Sequence, residues 1–467
     1  MQIDRALTRI FFLFLFLFLL VAANLTYLQV IKASQLTHRQ ENPRELMQEL
    51  SFKRGSIYSA DGKILAQNIE EDGKFKRVYP YREIMEPFLG FASPIYWKSG
   101  VEKSFDQYLL QGLKDPWPLQ LIKDLQDTPD EGDSLYLTID SRLQEIAFAS
   151  LDGQKGAILA LDPQTGAILA MASRPSFDPN GLEENWEHLV KDKDSPLVNR
   201  PTDGLYAPGS VFKILTSAAA LDSGSAGPGT IYECRESIVV YGNIIRNYGG
   251  KGYGNIDLTQ AFKISCNTYF AQLALELGRE RLKEYVKRFG FDRKPSLQFD
   301  AAASFFPDTS EMDDVELAWS GIGQGKMLVT PLQIAMVGLA MADQGRIMEP
   351  YLVQEIRDSQ DGLVKRFEPK IYAQPISAQT AETVKAMMVK VVAEGTGRSA
   401  QIQGVSVAGK TGTAELGKGK KPHSWFVGFA PSEDPRILIA VIVESGGTGA
   451  ETAAPIFKKV ASAYLGP

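Results

Sequence analysis

Three short polar motifs carry residue types that together can perform acyl transfer. In chain order they are Ser210-Val211-Phe212-Lys213, Ser265-Cys266-Asn267 and Lys410-Thr411-Gly412-Thr413. A serine hydroxyl becomes a nucleophile only when a neighbouring base removes its proton. A buried lysine can be that base, because burial and nearby cations favour its neutral form. The motifs therefore predict a serine nucleophile that is activated by lysine and not by histidine.

Ser210 is the predicted nucleophile and Lys213 the predicted general base. Pro208-Gly209 precede an apolar, alanine-rich run that ends near a glycine, which predicts a helix over 211–222 with Ser210 in its first turn. The three-residue spacing places Ser210 and Lys213 on one face of this helix. Unpaired N–H groups at the start of the helix suit a developing oxyanion. The alternative is that Ser210 only caps the helix.

Ser265 and Asn267 lie between two segments of helical period, 258–264 and 268–278. This pattern predicts a helix–loop–helix corner with both polar side chains on the same side. Ser265 is the candidate proton relay between Lys213 and a leaving amine, and Asn267 is the candidate for holding a substrate amide. The alternative is that Ser265 or Asn267 caps the second helix.

Residues 404–411 also fit the P-loop pattern G-x-x-x-x-G-K-[ST], which must open a helix. Here the residues alternate like a strand, and the charged, glycine-rich loop 415–422 follows them. Strand-like runs at 425–429 and 437–443 complete an antiparallel meander, so a nucleotide site is disfavoured. On a strand, Lys410 can attract a substrate carboxylate that Thr411 and Thr413 hydrogen-bond. Gly412 would let another backbone lie close.

The three motifs resemble those of penicillin-binding proteins and serine β-lactamases. Further segments are similar to class B penicillin-binding proteins, namely 54–66, 100–104, 137–144, 156–175, 321–325 and 330–333. The likeness covers nearly the whole chain after its first apolar segment and is closest to the short penicillin-binding protein A subgroup. The segment before Thr138 is shorter than in many class B members, which weakens any partner-binding role inferred from the longer versions.

The resemblance implies a mixed α+β fold with a penicillin-binding/β-lactamase-like transpeptidase domain. It also implies a peptidoglycan D,D-transpeptidase that cross-links stem peptides through a serine acyl-enzyme and is the target of β-lactams. The backbone N–H groups of Ser210 and Thr413 would form the oxyanion hole. No metal or organic cofactor is implied. The partners it suggests are D-Ala-D-Ala stem peptides, β-lactams, and a membrane glycan polymerase or cell-division proteins.

The secondary-structure pattern indicates how the three motifs are brought together. A hairpin is expected from 156–162 and 167–172, followed by helices at 211–222, 258–277, 279–288, 331–343 and 378–394, and by a last helix at 453–465. Strands early, helices in the middle and strands late predict one central antiparallel sheet built from both ends of the chain, beside a helical lobe. The cleft between sheet and lobe is the expected active site.

The N-terminus predicts a single-pass membrane protein. Residues 10–31 are apolar enough for a transmembrane anchor, and Arg5 and Arg9 favour a cytoplasmic tail at 1–9 with the catalytic domain outside the cytoplasm. A cleaved signal peptide is the alternative, because 21–23 loosely fit a cleavage site. The acidic stretch 128–133 predicts a boundary between an N-terminal non-catalytic module at 32–133 and the transpeptidase domain at 134–467.

Composition excludes several other functions. The net charge of −6 and the absence of a concentrated basic patch disfavour nucleic acid as a partner. With 3 His and no G-x-S-x-G motif, neither a zinc site nor a Ser-His-Asp hydrolase fits well. Cys266 is expected to be a free, buried thiol beside Ser265, and a disulfide to Cys234 is the alternative.

Two other classes of function stay open on the sequence. A β-lactamase or D,D-carboxypeptidase would hydrolyse the acyl-enzyme, but no E-x-x-x-N deacylation segment follows Asn267. A non-catalytic scaffold or β-lactam sensor would keep the fold without the chemistry, but the three motifs are intact. The sequence does not distinguish the acceptor amine, or a division role from elongation or sporulation.

Overall fold

The structure is a computed structural model that describes residues 2–27, 49–113, 131–291, 293–295, 297–417 and 419–466. Its centre is a five-stranded antiparallel sheet. In spatial order the strands are Ala408–Ala414, His423–Ala430, Ile437–Val443, Gly156–Leu161 and Ile168–Arg174. The predicted sheet, built from both ends of the chain, is therefore confirmed, and Ala408–Ala414 is one of its two edge strands, called the edge strand below.

The middle strand of this sheet explains why helices cover both faces. Every residue of Ile437–Val443 is buried. Ile439 and Val441 belong to the same hydrophobic cluster as the C-terminal helix Ala453–Leu465, whereas Leu438 and Ala440 belong to the cluster that contains the helix Pro331–Ala342. Alternate side chains of a strand point to opposite faces. A continuous apolar run of this kind is therefore a strand covered on both sides.

The helical lobe lies beside the edge strand. Its helices and those packed on the sheet are Ser141–Ser150, Arg200–Asp203, Lys213–Asp222, Leu258–Ile264, Asn267–Leu277, Arg279–Arg288, Asp314–Gly321, Pro331–Ala342, Ala378–Glu394 and Ala453–Leu465. The helix Leu182–Lys191 lies apart from them, since Leu182 shares a separate hydrophobic cluster with Phe91 and Phe177. The helices expected at 279–288, 378–394 and 453–465 have the predicted bounds. The segment expected at 258–277 is broken by the corner at Ser265 and Cys266.

A second, six-stranded sheet joins the N-terminal residues to the rest of the chain. In spatial order its strands are Leu363–Arg366, Val353–Arg357, Ser134–Leu137, Ile57–Tyr58, Ile64–Glu71 and Lys74–Val78. Short helices at Glu86–Leu89, Gly100–Ser104 and Asp106–Leu109 follow its last N-terminal strand. Strands from both sides of residue 133 share this sheet, and residues 128–130 of the predicted boundary lie outside the described residues.

Four short strand pairs complete the described fold. They are Ala92–Ser93 with Trp97–Lys98, Ile231–Cys234 with Gly254–Asp257, Ser237–Val240 with Asn243–Arg246, and Ile347–Met348 with Ile371–Ala373. The third pair supplies Ile244 and Arg246 to the cleft, and Asp257 of the second pair directly precedes the helix that ends at Ser265.

The chain begins with the helix Gln2–Thr26. Within it, the segment Thr8–Thr26 has 19 residues and a mean hydropathy of 2.2, and none of its apolar stretch is buried against the rest of the protein. It is the one described helix that is long and apolar enough to cross a membrane. Residues 28–31 of the predicted anchor lie outside the described residues.

Candidate active site

Ser210 lies in a tight 3-10 turn, Gly209–Phe212, which continues directly into the helix Lys213–Asp222. Gly209 has a φ of +56°, and its N–H donates to the Gly323 carbonyl at 2.7 Å. A Cβ on Gly209 would lie 2.8 Å from the Thr413 carbonyl oxygen. Glycine is therefore needed here, because the turn that carries Ser210 presses against the edge strand.

Lys213 is fully buried one turn after Ser210. Its Nζ donates to Oδ1 of Asn267 at 2.7 Å, and to the carbonyl and Oγ of Ser265 at 2.9 and 3.1 Å. Burial, assisted by the charge of Lys410, holds the pKa of Lys213 well below its usual value. Among the described residues no hydrogen bond joins Lys213 to the Ser210 hydroxyl. Such bonds often form only when substrate is bound.

The predicted helix–loop–helix corner is confirmed. The helix Leu258–Ile264 ends at Ser265, which has a left-handed φ of 60°, and the next helix begins at Asn267. The cap of that helix is neither Ser265 nor Asn267, because Sγ of Cys266 accepts the N–H of Tyr269 at 3.3 Å. The Ser265 hydroxyl and the Asn267 amide are thus both available to Lys213, on the same side of the corner.

Cys266 is not a free thiol; it forms a disulfide with Cys234. The expectation of a free thiol is wrong because the strand Ile231–Cys234 brings Cys234 against the corner. Asn247 joins the same two segments by hydrogen bonds. Its Oδ1 accepts the N–H of Thr268, just after the corner, at 3.0 Å, and its Nδ2 donates to the carbonyl of Arg235, next to Cys234, at 2.7 Å. The disulfide and Asn247 therefore connect the corner that carries Ser265 to the strand Ile231–Cys234 and to the segment after the strand Asn243–Arg246.

Cys234→Ala should lower the free energy of unfolding by about 3–4 kcal/mol, because the disulfide closes a loop in the unfolded chain. The bridged cysteines are 32 residues apart. Urea unfolding of the region after the apolar helix measures the loss. Reductant should destabilise the wild-type protein by a similar amount and leave the Cys234→Ala variant unchanged. A wild-type protein indifferent to reductant would contradict the bridge.

Lys410 lies on the edge strand and is also fully buried. Its Nζ donates to Oγ of Ser265 and to the Thr411 carbonyl, both at 3.0 Å. Burial lowers the pKa of Lys410 to about 7. The Ser265 hydroxyl is therefore held between the Nζ atoms of two lysines, one from the helical lobe and one from the sheet.

Gly412 lets the turn that carries Ser210 pack closely against the edge strand, because a larger residue there would clash. A Cβ on Gly412 would lie 2.8 Å from Cβ of Trp425 and 2.9 Å from Cγ1 of Val211. The expectation that another backbone lies close at Gly412 is confirmed, since the Pro208 carbonyl would be 3.2 Å away. Residues 408–414 form a strand and a loop follows, so the P-loop interpretation is wrong for this segment.

The three motifs meet in one cleft of about 790 Å³ between the edge strand and the helical lobe. Ser210, Ser265, Asn267, Thr411 and Thr413 line this cleft. The buried lysines lie behind Ser265. The arrangement combines a half-buried serine, two lysines with lowered pKa and several hydroxyl donors, which together can perform acyl transfer.

Sequence reasoning missed several residues that shape the cleft. Gly323 supplies the carbonyl that fixes Gly209, and the Arg246 carbonyl accepts from Nδ2 of Asn267 at 2.9 Å. Thr396 lines the cleft and contacts Thr411. Thr396 could have been noticed in the sequence, because it stands between Gly395 and Gly397 directly after the predicted helix 378–394. The Arg246 carbonyl has no sequence signal, since it is a backbone group brought in by a hairpin.

Comparison with known proteins decides the family. The model of the penicillin binding protein transpeptidase domain matches residues 156–462, and that of the penicillin binding protein A dimerisation domain matches residues 54–135. The chain belongs to the penicillin-binding protein transpeptidase family. A dimerisation domain followed by a transpeptidase domain agrees with the class B resemblance noted in the sequence.

Relatives of this penicillin-binding protein match it along its length. Peptidoglycan D,D-transpeptidase PbpA of Mycolicibacterium smegmatis is 34% identical, with 99% of each chain covered, and PbpA of Mycobacterium tuberculosis is 33% identical with the same coverage. The ceftriaxone acyl-enzyme complex of penicillin-binding protein A from M. tuberculosis has a TM-score of 0.84 at 33% identity. That match covers 90% of this chain and 100% of the other.

A D,D-transpeptidase domain from Eggerthella lenta gives a similar match. Its TM-score is 0.82 at 35% identity, with 89% of this chain and 99% of the other covered. The mixed α+β transpeptidase fold expected from the sequence is therefore confirmed.

Proposed function

We propose that this penicillin-binding protein is a peptidoglycan D,D-transpeptidase with Ser210 as its nucleophile. The observation that carries the proposal is the Ser265 hydroxyl, which lies 3.1 Å from Nζ of Lys213 and 3.0 Å from Nζ of Lys410. This cluster opens onto the cleft that Ser210 lines. Relatives of the same length are named peptidoglycan D,D-transpeptidase, which supports the same reaction.

Acylation begins with the proton of Ser210. Lys213, neutral because its pKa is lowered by burial, accepts that proton as Ser210 attacks the carbonyl of the penultimate D-alanine. The negative charge that develops on the carbonyl oxygen is stabilised by backbone N–H groups, and those of Ser210 and Thr413 are the candidates. Ser210 stands in the first turn of its helix, where N–H groups have no partner within the helix.

Departure of the terminal D-alanine needs a proton on its nitrogen. Ser265 can relay this proton from Lys213, since its Oγ already lies within hydrogen-bonding distance of that ammonium. The C–N bond then breaks and leaves an ester between Ser210 and the donor stem. An acceptor amine attacks the ester and loses a proton to Lys213. The ester C–O bond breaks, Lys213 returns that proton to the Ser210 oxygen, and the new amide bond completes the cross-link.

The substrate carboxylate is assigned to the edge-strand motif. The buried Lys410 supplies positive charge beneath the floor of the cleft, and Thr411 and Thr413 line the cleft itself. A carboxylate accepts hydrogen bonds and donates none, so hydroxyls beside a cation suit it. Asn267 is the proposed partner of the substrate amide, although in the free protein its Oδ1 accepts from Lys213.

We also propose the arrangement in the membrane and the domain division. Residues 10–31, which include most of the apolar helix Thr8–Thr26, would be the single anchor, with residues 1–9 cytoplasmic and the catalytic cleft outside the cytoplasm. Residues 32–133 would form the non-catalytic module and 134–467 the transpeptidase domain. A membrane glycan polymerase or cell-division proteins are the proposed partner classes, since a cross-linking enzyme needs newly made glycan.

The penicilloyl-enzyme should persist for many minutes, because a transpeptidase lacks a base that activates water for deacylation. Intact-protein mass spectrometry after brief exposure to penicillin measures the adduct over time. A long-lived adduct, together with transfer of a donor stem to an added amine, supports the transpeptidase.

A rapid return to the free mass with hydrolysed penicillin accumulating would instead identify a hydrolase. In that case the first residues to replace are Glu415 and Glu451, the two carboxylates that line the cleft, both of them exposed. Glu415→Gln and Glu451→Gln would then show which of them activates the water.

A further inference from the structure

Thr396 lies beside the residues proposed to bind the substrate carboxylate. Its Oγ1 is 2.7 Å from Oγ1 of Thr411, and both side chains line the cleft that contains Ser210. Thr396 belongs to the helical lobe, since it follows the helix Ala378–Glu394 after one glycine. The lobe and the edge strand therefore meet through two hydroxyl groups at the carboxylate site.

Backbone packing fixes the position of Thr396. A Cβ on Gly395 would lie 2.6 Å from the Lys263 carbonyl oxygen, so only glycine allows this approach. The N–H of Thr396 points to the same carbonyl at 3.4 Å, and Lys263 forms an ion pair with Glu394 at 3.1 Å. Lys263 precedes Ser265 by two residues, so Thr396 is anchored to the same corner as the proposed proton relay.

Each threonine hydroxyl has a single proton, and this decides which of Thr396 and Thr411 donates when a ligand is bound. Each threonine hydroxyl has one proton to donate and can accept two hydrogen bonds. In the free protein either hydroxyl can be the donor of the pair. When Thr411 donates its only proton to a carboxylate, the proton between the two threonines must come from Thr396. The chain then runs from Thr396 to Thr411 to the carboxylate, and each bond polarises the next.

We propose that Thr396 is a positioning residue that turns the Thr411 hydroxyl toward the substrate carboxylate, so that the cleft selects ligands with a free carboxylate. The inference rests on the proposed function and extends it to specificity. With Thr396 donating, the proton of Thr411 points to the ligand, where a charged acceptor gains more than a neutral one. Without Thr396, the Thr411 hydroxyl keeps no hydrogen-bond partner among the described residues that would fix its rotation.

The test compares acylation of Thr396→Val by penicillin and by penicillin methyl ester. Stopped-flow kinetics separate the dissociation constant of the non-covalent complex from the acylation rate constant. We expect the dissociation constant for penicillin to rise about three- to tenfold, the loss of one hydrogen bond, with little change for the ester. The acylation rate constant should change little, because Thr396 does not touch the nucleophile. Thr396→Ser, which keeps the hydroxyl, should restore tight binding.

The matched control is Thr383→Val on the helix Ala378–Glu394 that precedes Thr396; the Thr383 hydroxyl donates to the Gln379 carbonyl away from the cleft. It should bind both ligands like the wild type. If Thr396→Val melts well below this control, Thr396→Ala replaces it in the comparison. Equal losses for acid and ester, or no loss for either, would overturn the inference. A wild-type protein that penicillin does not acylate would contradict the proposed function instead.

Discussion

Ser210→Ala should abolish covalent labelling by penicillin while the protein remains folded. The variant lacks the oxygen that forms the acyl bond, so the expected loss is complete and not partial. The Ser210 hydroxyl makes no hydrogen bond among the described residues, and its side chain is only half buried, so its removal costs little packing. Mass spectrometry after exposure to penicillin measures the label, and thermal melting verifies the fold.

Ser217→Ala is the matched control for this experiment. Ser217 lies on the helix that follows Ser210, and its buried hydroxyl has no hydrogen-bond partner within the described part of the chain. Its replacement should leave labelling intact, and it should not destabilise the protein, because an unsatisfied buried hydroxyl contributes no favourable bond. Full labelling of Ser210→Ala, at the stoichiometry of the control, would show that another residue is the nucleophile.

The three helices whose bounds the sequence predicted each have a glycine at one end, namely Gly278, Gly395 and Gly466. Ser377 accepts the N–H of Thr380 at 3.2 Å at the start of Ala378–Glu394, and Gly395 ends the same helix. A side-chain cap and a terminal glycine act within a few residues, so they are visible in the sequence. The 3-10 turn at Ser210 was not visible, because it depends on the contact of Gly209 with Thr413.

The six-stranded sheet could not be predicted from local patterns. Its strand Ser134–Leu137 pairs in parallel with Ile57–Tyr58 and antiparallel with Val353–Arg357. These partners are far apart in the chain, and short strands carry little sequence signal. Pairing between them is set by the packing of the whole domain and not by the residues of each strand.

The candidate site was predictable in composition but not in connectivity. The motifs indicated that Ser210, Ser265 and Lys410 would meet; Ser210 and Ser265 line one cleft, and Lys410 contacts Ser265 from behind it. The sequence could not show that Ser265 bridges both lysines, because this depends on its left-handed conformation. The disulfide at Cys266 was missed for a similar reason, since its partner arrives on a separate hairpin.

Lys213 variants should separate a base from a structural cation. Lys213→Arg keeps a positive charge but cannot lose a proton in a protein, and Lys213→Met removes the charge with a side chain of similar length. If Lys213 accepts the Ser210 proton, both variants should acylate with penicillin about a hundredfold more slowly or worse. If only its charge matters, Lys213→Arg should acylate at close to the wild-type rate while Lys213→Met does not.

Stability distinguishes loss of the base from loss of the fold. Lys213→Arg must bury a permanent charge where the lysine can be neutral, so it should melt below the wild type. Lys213→Met buries no charge and should melt closer to the wild type, although Oδ1 of Asn267 loses the hydrogen bond from Lys213. A slow but well-folded Lys213→Met variant therefore shows that the chemistry, and not the packing, was removed.

The wild-type pH profile gives an independent measure of the same base. Burial and the charge of Lys410 favour neutral Lys213, so its base form should already be present far below the usual lysine range. The acylation rate should therefore rise with pH and level off well below the ordinary lysine pKa of about 10.4. Because the two lysines share Ser265, the midpoint belongs to the pair. A rate that keeps climbing up to pH 10 would mean that Lys213 is an ordinary charged lysine in the free enzyme.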